Sequence, residues 1–267
     1  MAVLEVKGLV GGYGKVPVIN DVRFQAALSQ VVTVVGPNGA GKSTSLKATF
    51  GLVSRHAGQV LLDGEDVSGL PSHLLARAGL GYVPQVDNVF ATMTVEENLQ
   101  LGALHQRSGL SQRRDEVFEL FPDLAKARQR KGGQLSGGQR NMLGMARALM
   151  SDPKVMLLDE PTAGLSPANV DAVWSQIRRI AELGTSVVVV EQNVDRALQQ
   201  ADWVYVLVAG RNYLDGSPAA LASVDLGAIF LGATHPAESG TTSAAGATAA
   251  ESQNTTNSNT TTTGGTK

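Results

Sequence analysis

The residues Gly36-Pro37-Asn38-Gly39-Ala40-Gly41-Lys42-Ser43-Thr44 form a complete G-x-x-x-x-G-K-S loop. Glycines let such a backbone curl so that its N–H groups point inward at phosphate oxygens, with the positive end of the following helix behind them. Lys42 then holds the β- and γ-phosphates of a nucleoside triphosphate, and Ser43 ligates Mg²⁺. Further along, the apolar run Val155-Met156-Leu157-Leu158 delivers Asp159 and Glu160 at its polar end. Buried parallel strands carry ligand sites at their C-terminal ends. There Asp159 would bind the metal through its shell and Glu160 would orient and polarise an attacking water. A lone Asp-Glu pair is by default a solvated strand end; beside a phosphate loop it points to hydrolysis.

Such residues need a scaffold. Short β-branched runs at Val31 to Val35, Val155 to Leu158 and Val187 to Val190 read as buried strands, each followed by a helix-compatible segment. The pattern is α/β with a mainly parallel sheet. Between Val86 and Met150 the strand signal disappears, and Val95 to His105, Gln112 to Leu120 and Gly137 to Met150 read as helices, so a helical insertion interrupts the core. From residue 233 onward the composition shifts to Thr, Ser, Asn, Gly and Ala, which cannot bury enough surface to offset ordering entropy and reads as a disordered tail.

Composition sets outer limits. With 267 residues, 43% of them hydrophobic, the chain can bury a substantial core. A formal net charge of −2 gives no global attraction to nucleic acid or anionic membrane. Cysteine is absent, which excludes disulfides and thiol chemistry and suits a reducing cytoplasm. The N-terminal residues alternate like a strand and lack a signal peptide's order. Runs such as Val204 to Val208 are far below the ~20 apolar residues a spanning helix needs. The expectation is a soluble chain whose membrane role comes through partners. His56, His73, His105 and His235 are scattered without metal-ligand spacing and read as surface residues.

The segment Leu135-Ser136-Gly137-Gly138-Gln139, lying between the two nucleotide motifs, resembles the signature sequence of ABC ATPases. A hydroxyl, two bare backbone N–H groups and a helix N-terminus make an anion site, and Ser136 also reads as a helix cap. The resemblance implies a P-loop NTPase core with an N-terminal antiparallel β part and a helical signature subdomain at about 86–150, the nucleotide-binding domain spanning 1–232. It implies ATP and Mg²⁺ as ligands, with Ser136, Gly137, Gly138 and Gln139 closing over the γ-phosphate held by an opposite subunit. Tyr13, ahead of Gly14, resembles the aromatic that stacks on adenine. Gln85, after Gly81-Tyr82-Val83-Pro84, resembles the glutamine that reaches Mg²⁺ and the water; the segment beyond it, Asn88 to Asn98, would edge the groove for a membrane subunit.

Two positions depart from the family pattern. Glu191-Gln192-Asn193 stands where Glu-His-Asp is usual, so Gln192 can donate a hydrogen bond to phosphate but carries no charge. Gly164-Leu165 is followed by Ser166-Pro167 where an Asp is usual. Glu-Gln-Asn, Thr94-Val95-Glu96-Glu97-Asn98-Leu99, Glu119-Leu120-Phe121-Pro122 and the ending Ile229-Phe230-Leu231-Gly232 resemble the smaller ATPase of branched-chain amino-acid importers, the LivF type. That resemblance implies a second, different ATPase chain, two transmembrane permease subunits, an extracytoplasmic solute-binding protein, no nucleic acid, and a peripheral place on the cytoplasmic face of the inner or plasma membrane. The alternatives are the ATPase of a urea or amide importer, that of a lipopolysaccharide-type exporter, and a soluble ABC ATPase outside transport. The last would bring a second cassette or a long coiled coil, and neither is present.

Overall fold

A computed structural model describes residues 2–104 and 109–230, so His105, His235 and the Thr/Ser-rich stretch from residue 233 lie outside the described residues. In chain order the elements are β1 (Ala2–Tyr13), β2 (Val16–Ala27), β3 (Val31–Val35), α1 (Lys42–Thr49), β4 (Ser54–Leu62), β5 (Glu65–Asp66), α2 (Ser72–Ala78), β6 (Leu80–Val83), α3 (Val95–Gly102), α4 (Leu110–Leu120), α5 (Pro122–Lys126), a 3-10 turn (Gly132–Gln134), α6 (Gly137–Leu149), β7 (Val155–Asp159), α7 (Pro167–Glu182), β8 (Ser186–Glu191), α8 (Val194–Gln200), β9 (Trp203–Val208), β10 (Arg211–Gly216), α9 (Pro218–Leu221) and α10 (Leu226–Phe230).

Two sheets result. One has the order β2-β1-β4-β5 and is antiparallel; the other runs β10-β9-β3-β8-β7-β6, parallel except for β10 at its edge. The strands β3, β7 and β8 are buried along their whole length. Both faces of these strands are covered, which is why they are written as continuous apolar runs. Val31, Met156, Leu158, Val187 and Val189 face a core built with Leu143, Met145 and Leu149 of α6 and Trp174, Ile177 and Ile180 of α7. Their alternates Val32, Val34, Leu157, Val188 and Val190 face the opposite core, shared with Leu46 of α1 and Leu4, Val6 and Phe24 of the antiparallel sheet. The parallel register aligns the strand ends, with Val35 beside Glu191, Asp159 beside Val190 and Val83 beside Leu158. Loops after all four strands therefore open at one edge.

Residues 86–150 carry α3 to α6 and only an isolated bridge, Thr94 to Lys131, among the described residues. The predicted first helix stops at Gly102, where a side chain would drive its Cβ to 2.1 Å from the Arg147 carbonyl oxygen of α6. Thr94 caps α3 reciprocally with Glu97. Glu96 gathers Arg114 at 3.1 Å, Arg128 at 2.8 Å and Gln129 at 3.1 Å, fastening α3 to α4 and to the segment after α5.

Candidate active site at the strand ends

The phosphate loop leaves β3 and enters α1. Gly39 (φ +82°) and Gly41 (φ +92°) lie in the left-handed region that favours glycine, and a Cβ on Gly41 would sit 2.7 Å from Ile19 Cγ2. The loop closes on itself through Ala40 N–H to Pro37 O at 3.1 Å and is anchored by Gly210 N–H to Ala40 O at 3.0 Å. Lys42 is buried and donates to Gly36 O at 2.8 Å and Pro37 O at 3.0 Å. Burial pulls its pKa below the ordinary lysine value, against the opposing pull of Glu160, Asp159 and Glu191. The ammonium thus caps its own loop within the field of three carboxylates. Ser43 is half-buried, Thr44 is buried and Asn38 is exposed at the loop tip.

Asp159 ends β7 and is buried. Tyr82 Oη donates to its Oδ2 at 3.1 Å, while Oδ1 is buried with no hydrogen-bond partner. Burial, with the Asp159 carboxylate adding to it, pushes the Tyr82 phenol far above its ordinary pKa and keeps it a donor. Glu160 follows at φ +47°, a left-handed conformation that costs a non-glycine residue on the order of 1 kcal/mol. Its N–H is held by Val190 O at 3.0 Å, which ties the strained turn to β8. Its Oε2 accepts from two amides, Gln85 Nε2 and Gln192 Nε2, each at 2.7 Å. The amides come from opposite sides, one following β6 and the other following β8. A carboxylate anchored by one oxygen leaves Oε1 to accept from a water, the geometry of a positioned general base.

Sequence reading placed Gln192 against phosphate; in this structure its amide lies on Glu160. It missed Tyr82 and a buried pair behind the site, Thr162 Oγ1 donating to Glu191 Oε1 at 2.6 Å. Glu191 is 3% exposed, and burial raises its pKa above the ordinary carboxylate value, opposed by the hydrogen bonds from Thr162 and the Gln192 N–H. The one available signal was Glu191 itself, an acidic residue closing an otherwise apolar strand. Tyr13 is 59% exposed, a free ring face at the end of β1 beside Leu52, Val53 and Ser54. Ser136 caps α6: its Oγ accepts from Gln139 N–H at 3.2 Å, and Gln139 Oε1 accepts from Ser136 N–H at 3.1 Å. With Oγ acting as acceptor, the hydroxyl proton stays available to a ligand. Gly137 and Gly138 lie against Leu165 and Asn169 at the start of α7 rather than against the phosphate loop. Within one chain the site therefore has two separate halves. His56 and His73 are exposed, as expected.

Comparison with known proteins agrees with this geometry. Residues 19–163 match the ABC transporter family. The Archaeoglobus fulgidus probable branched-chain amino acid transport ATP-binding protein LivF is 43% identical over 211 residues, covering 78% of this chain and 89% of that one. The Haemophilus influenzae lipopolysaccharide export system ATP-binding protein LptB is 36% identical over 222 residues, 82% of this chain and 92% of that one. A crystal structure of a nucleotide-free ATP-binding cassette from an ABC transporter superposes with a TM-score of 0.78 at 24% identity, covering 87% of this chain and 100% of that chain, a likeness of fold. The chain belongs to the ATP-binding subunits of the ABC transporter family, whose domain hydrolyses ATP.

Proposed function

We propose that this chain powers import of branched-chain or neutral amino acids by ATP-driven closure of a cassette dimer. The observation that carries the hydrolytic part is the convergence of Gln85 and Gln192 on one oxygen of Glu160, beside Lys42 and Asp159. Likeness to LivF over most of both chains supports the cargo class.

ATP would enter with its adenine on the exposed ring of Tyr13 and its phosphates among the backbone N–H groups of residues 36–44. Lys42 then exchanges its loop carbonyls for β- and γ-phosphate oxygens. The Ser136 hydroxyl and the N–H groups of Gly137, Gly138 and Gln139 close over the γ-phosphate of the opposite subunit, contacts that exist only with that phosphate bound. Glu160 Oε1 accepts a hydrogen bond from the water that attacks the γ-phosphorus; the bond to the β-phosphate oxygen breaks, and ADP and phosphate leave as the dimer opens. The unpartnered, buried Oδ1 of Asp159 fits a cation, which Ser43 and the free Oε1 of Gln85 would also hold. Mg²⁺ held there would offset negative charge on the nucleotide's phosphates.

Residues 86–150 serve as the helical subdomain in a cassette of residues 1–232, with 233–267 as a tail outside it. ABC ATPases of transporters work with membrane permeases, and no described helix here is long and apolar enough to cross a membrane. We assign this chain two permease subunits, a second ATPase subunit of different sequence, an extracytoplasmic solute-binding protein and the cytoplasmic membrane face. The likeness to LptB favours a lipopolysaccharide-type exporter as the second reading.

Uptake of labelled leucine, urea and a neutral amino acid in cells lacking the chain tests this. Loss of leucine uptake, restored by wild type and not by Glu160→Gln, is the expected result. Response of urea alone changes the cargo, and response of none moves the exporter forward.

A further inference from the structure

Helix α6 runs unusually close to the segment that follows Gln85. At Gly144 an added Cβ would lie 3.2 Å from both Cβ and Cγ of Asn88 and 3.3 Å from Val83 Cγ1, so any side chain here would crowd Asn88 and Val83. One turn earlier on the same face stands Asn141. Asn88, 7% exposed, donates through Nδ2 to Asn141 Oδ1 at 2.9 Å. Asn141 in turn donates through Nδ2 to the Pro161 carbonyl oxygen at 2.6 Å. Pro161 directly follows Glu160, whose backbone is strained. The amide of Asn141 thus spends its acceptor on one segment and its donor on the other, a polarity that no apolar or purely accepting side chain reproduces.

We propose that Asn141 is a positioning residue that couples the backbone after Gln85 to the turn carrying Glu160. A cleft of about 400 Å³ opens beside this relay, lined among others by Val86, Asn88, Arg140, Gly164 and Leu165. A partner segment pressing on the Val86–Val89 wall displaces Asn88, and through Asn141 shifts the Pro161 carbonyl and the carboxylate before it. The relay runs parallel to the direct Gln85–Glu160 bond and acts on backbone rather than on the carboxylate itself. The coupling rests on the transporter reading above, whereas the positioning of Glu160 rests only on the cassette's ATPase activity.

The test uses the full chain assembled with its permeases in liposomes, with ATP hydrolysis measured across pH 5.5 to 8.5. Asn141→Asp keeps the acceptor for Asn88 and sets a carboxylate against the Pro161 carbonyl. Its kcat is expected to fall about five- to tenfold at pH 8, with KM for ATP within about twofold, the loss expected for one hydrogen bond made in the working geometry. Facing the Pro161 carbonyl oxygen, the introduced carboxyl should titrate above the ordinary aspartate value of about 3.9, so its protonated form, which regains a donor, grows and the deficit relative to wild type narrows toward pH 5.5. Asn88→Ala cuts the other end and lowers kcat similarly, and the double variant is no worse than Asn141→Asp alone. Wild-type kcat in Asn141→Asp at unchanged Tm overturns the proposal, as does a raised KM with kcat intact. Should Asn141→Asp fail to fold, Asn88→Ala decides by the same kcat and KM criteria. The same assay on the chain without permeases separates the two readings: if the variants lower kcat there and added permeases do not stimulate the wild type, the positioning of Glu160 stands and the transporter reading fails.

Discussion

Gln192 Nε2 lies 2.7 Å from Glu160 Oε2, so a neutral side chain that follows β8 anchors the carboxylate that follows β7. An amide does this without titrating. Gln192→Ala should lower kcat about three- to tenfold with little change in KM, since Gln85 retains its bond to the same oxygen. Gln192→His should add an inflection near the ordinary histidine pKa of about 6.5 to a pH–rate profile that in the wild type lacks one from this position. Steady-state ATPase assays across that range check both.

Glu160→Gln removes the acceptor for the attacking water and leaves the phosphate loop intact. Turnover should fall by roughly 10²- to 10⁴-fold, the usual worth of a positioned base, while ATP still binds. Calorimetric titration beside phosphate release separates the two; residual turnover within tenfold of wild type would remove Glu160 from the role given to it.

Lys42 holds its own loop through Gly36 O and Pro37 O until a phosphate replaces them. Lys42→Ala therefore loses a phosphate contact and a loop cap together. Nucleotide affinity should drop at least about tenfold, a charged hydrogen bond being worth ~1.5–3 kcal/mol. Undiminished ATP binding by calorimetry would contradict the loop's assignment.

Glu191 is buried with Thr162, and its pKa in the folded chain lies above the ordinary value of 4.5. The folded state then binds the proton more tightly than the unfolded state. Stability contributed by the neutral carboxyl is present below the unfolded value and is lost as pH rises through the folded one. Glu191→Gln keeps a neutral acceptor for Thr162. Its Tm should be close to that of wild type near pH 4.5 and gain on it progressively as pH rises; a constant difference across pH 4.5 to 7.5 would show that Glu191 does not carry this linkage.

The buried strand Val31 to Val35, the curl of the loop at Gly39 and Gly41, and the delivery of Asp159 and Glu160 by β7 were all legible in the sequence. Each depends on local backbone preference and on periodicity, which neighbouring residues specify. The same holds for Ser136 as the cap of α6, where hydroxyl and Gln139 stand three residues apart. What only the tertiary structure decided are pairings between residues remote along the chain: Gln85 and Gln192 on one oxygen of Glu160, Tyr82 on Asp159, Thr162 on Glu191, Asn141 on Pro161. They arise because the register of β6, β7, β8 and β3 brings four strand ends to one edge. Strand order and side-chain direction across that edge are properties of the packed sheet and its two cores, and no local stretch of residues contains them.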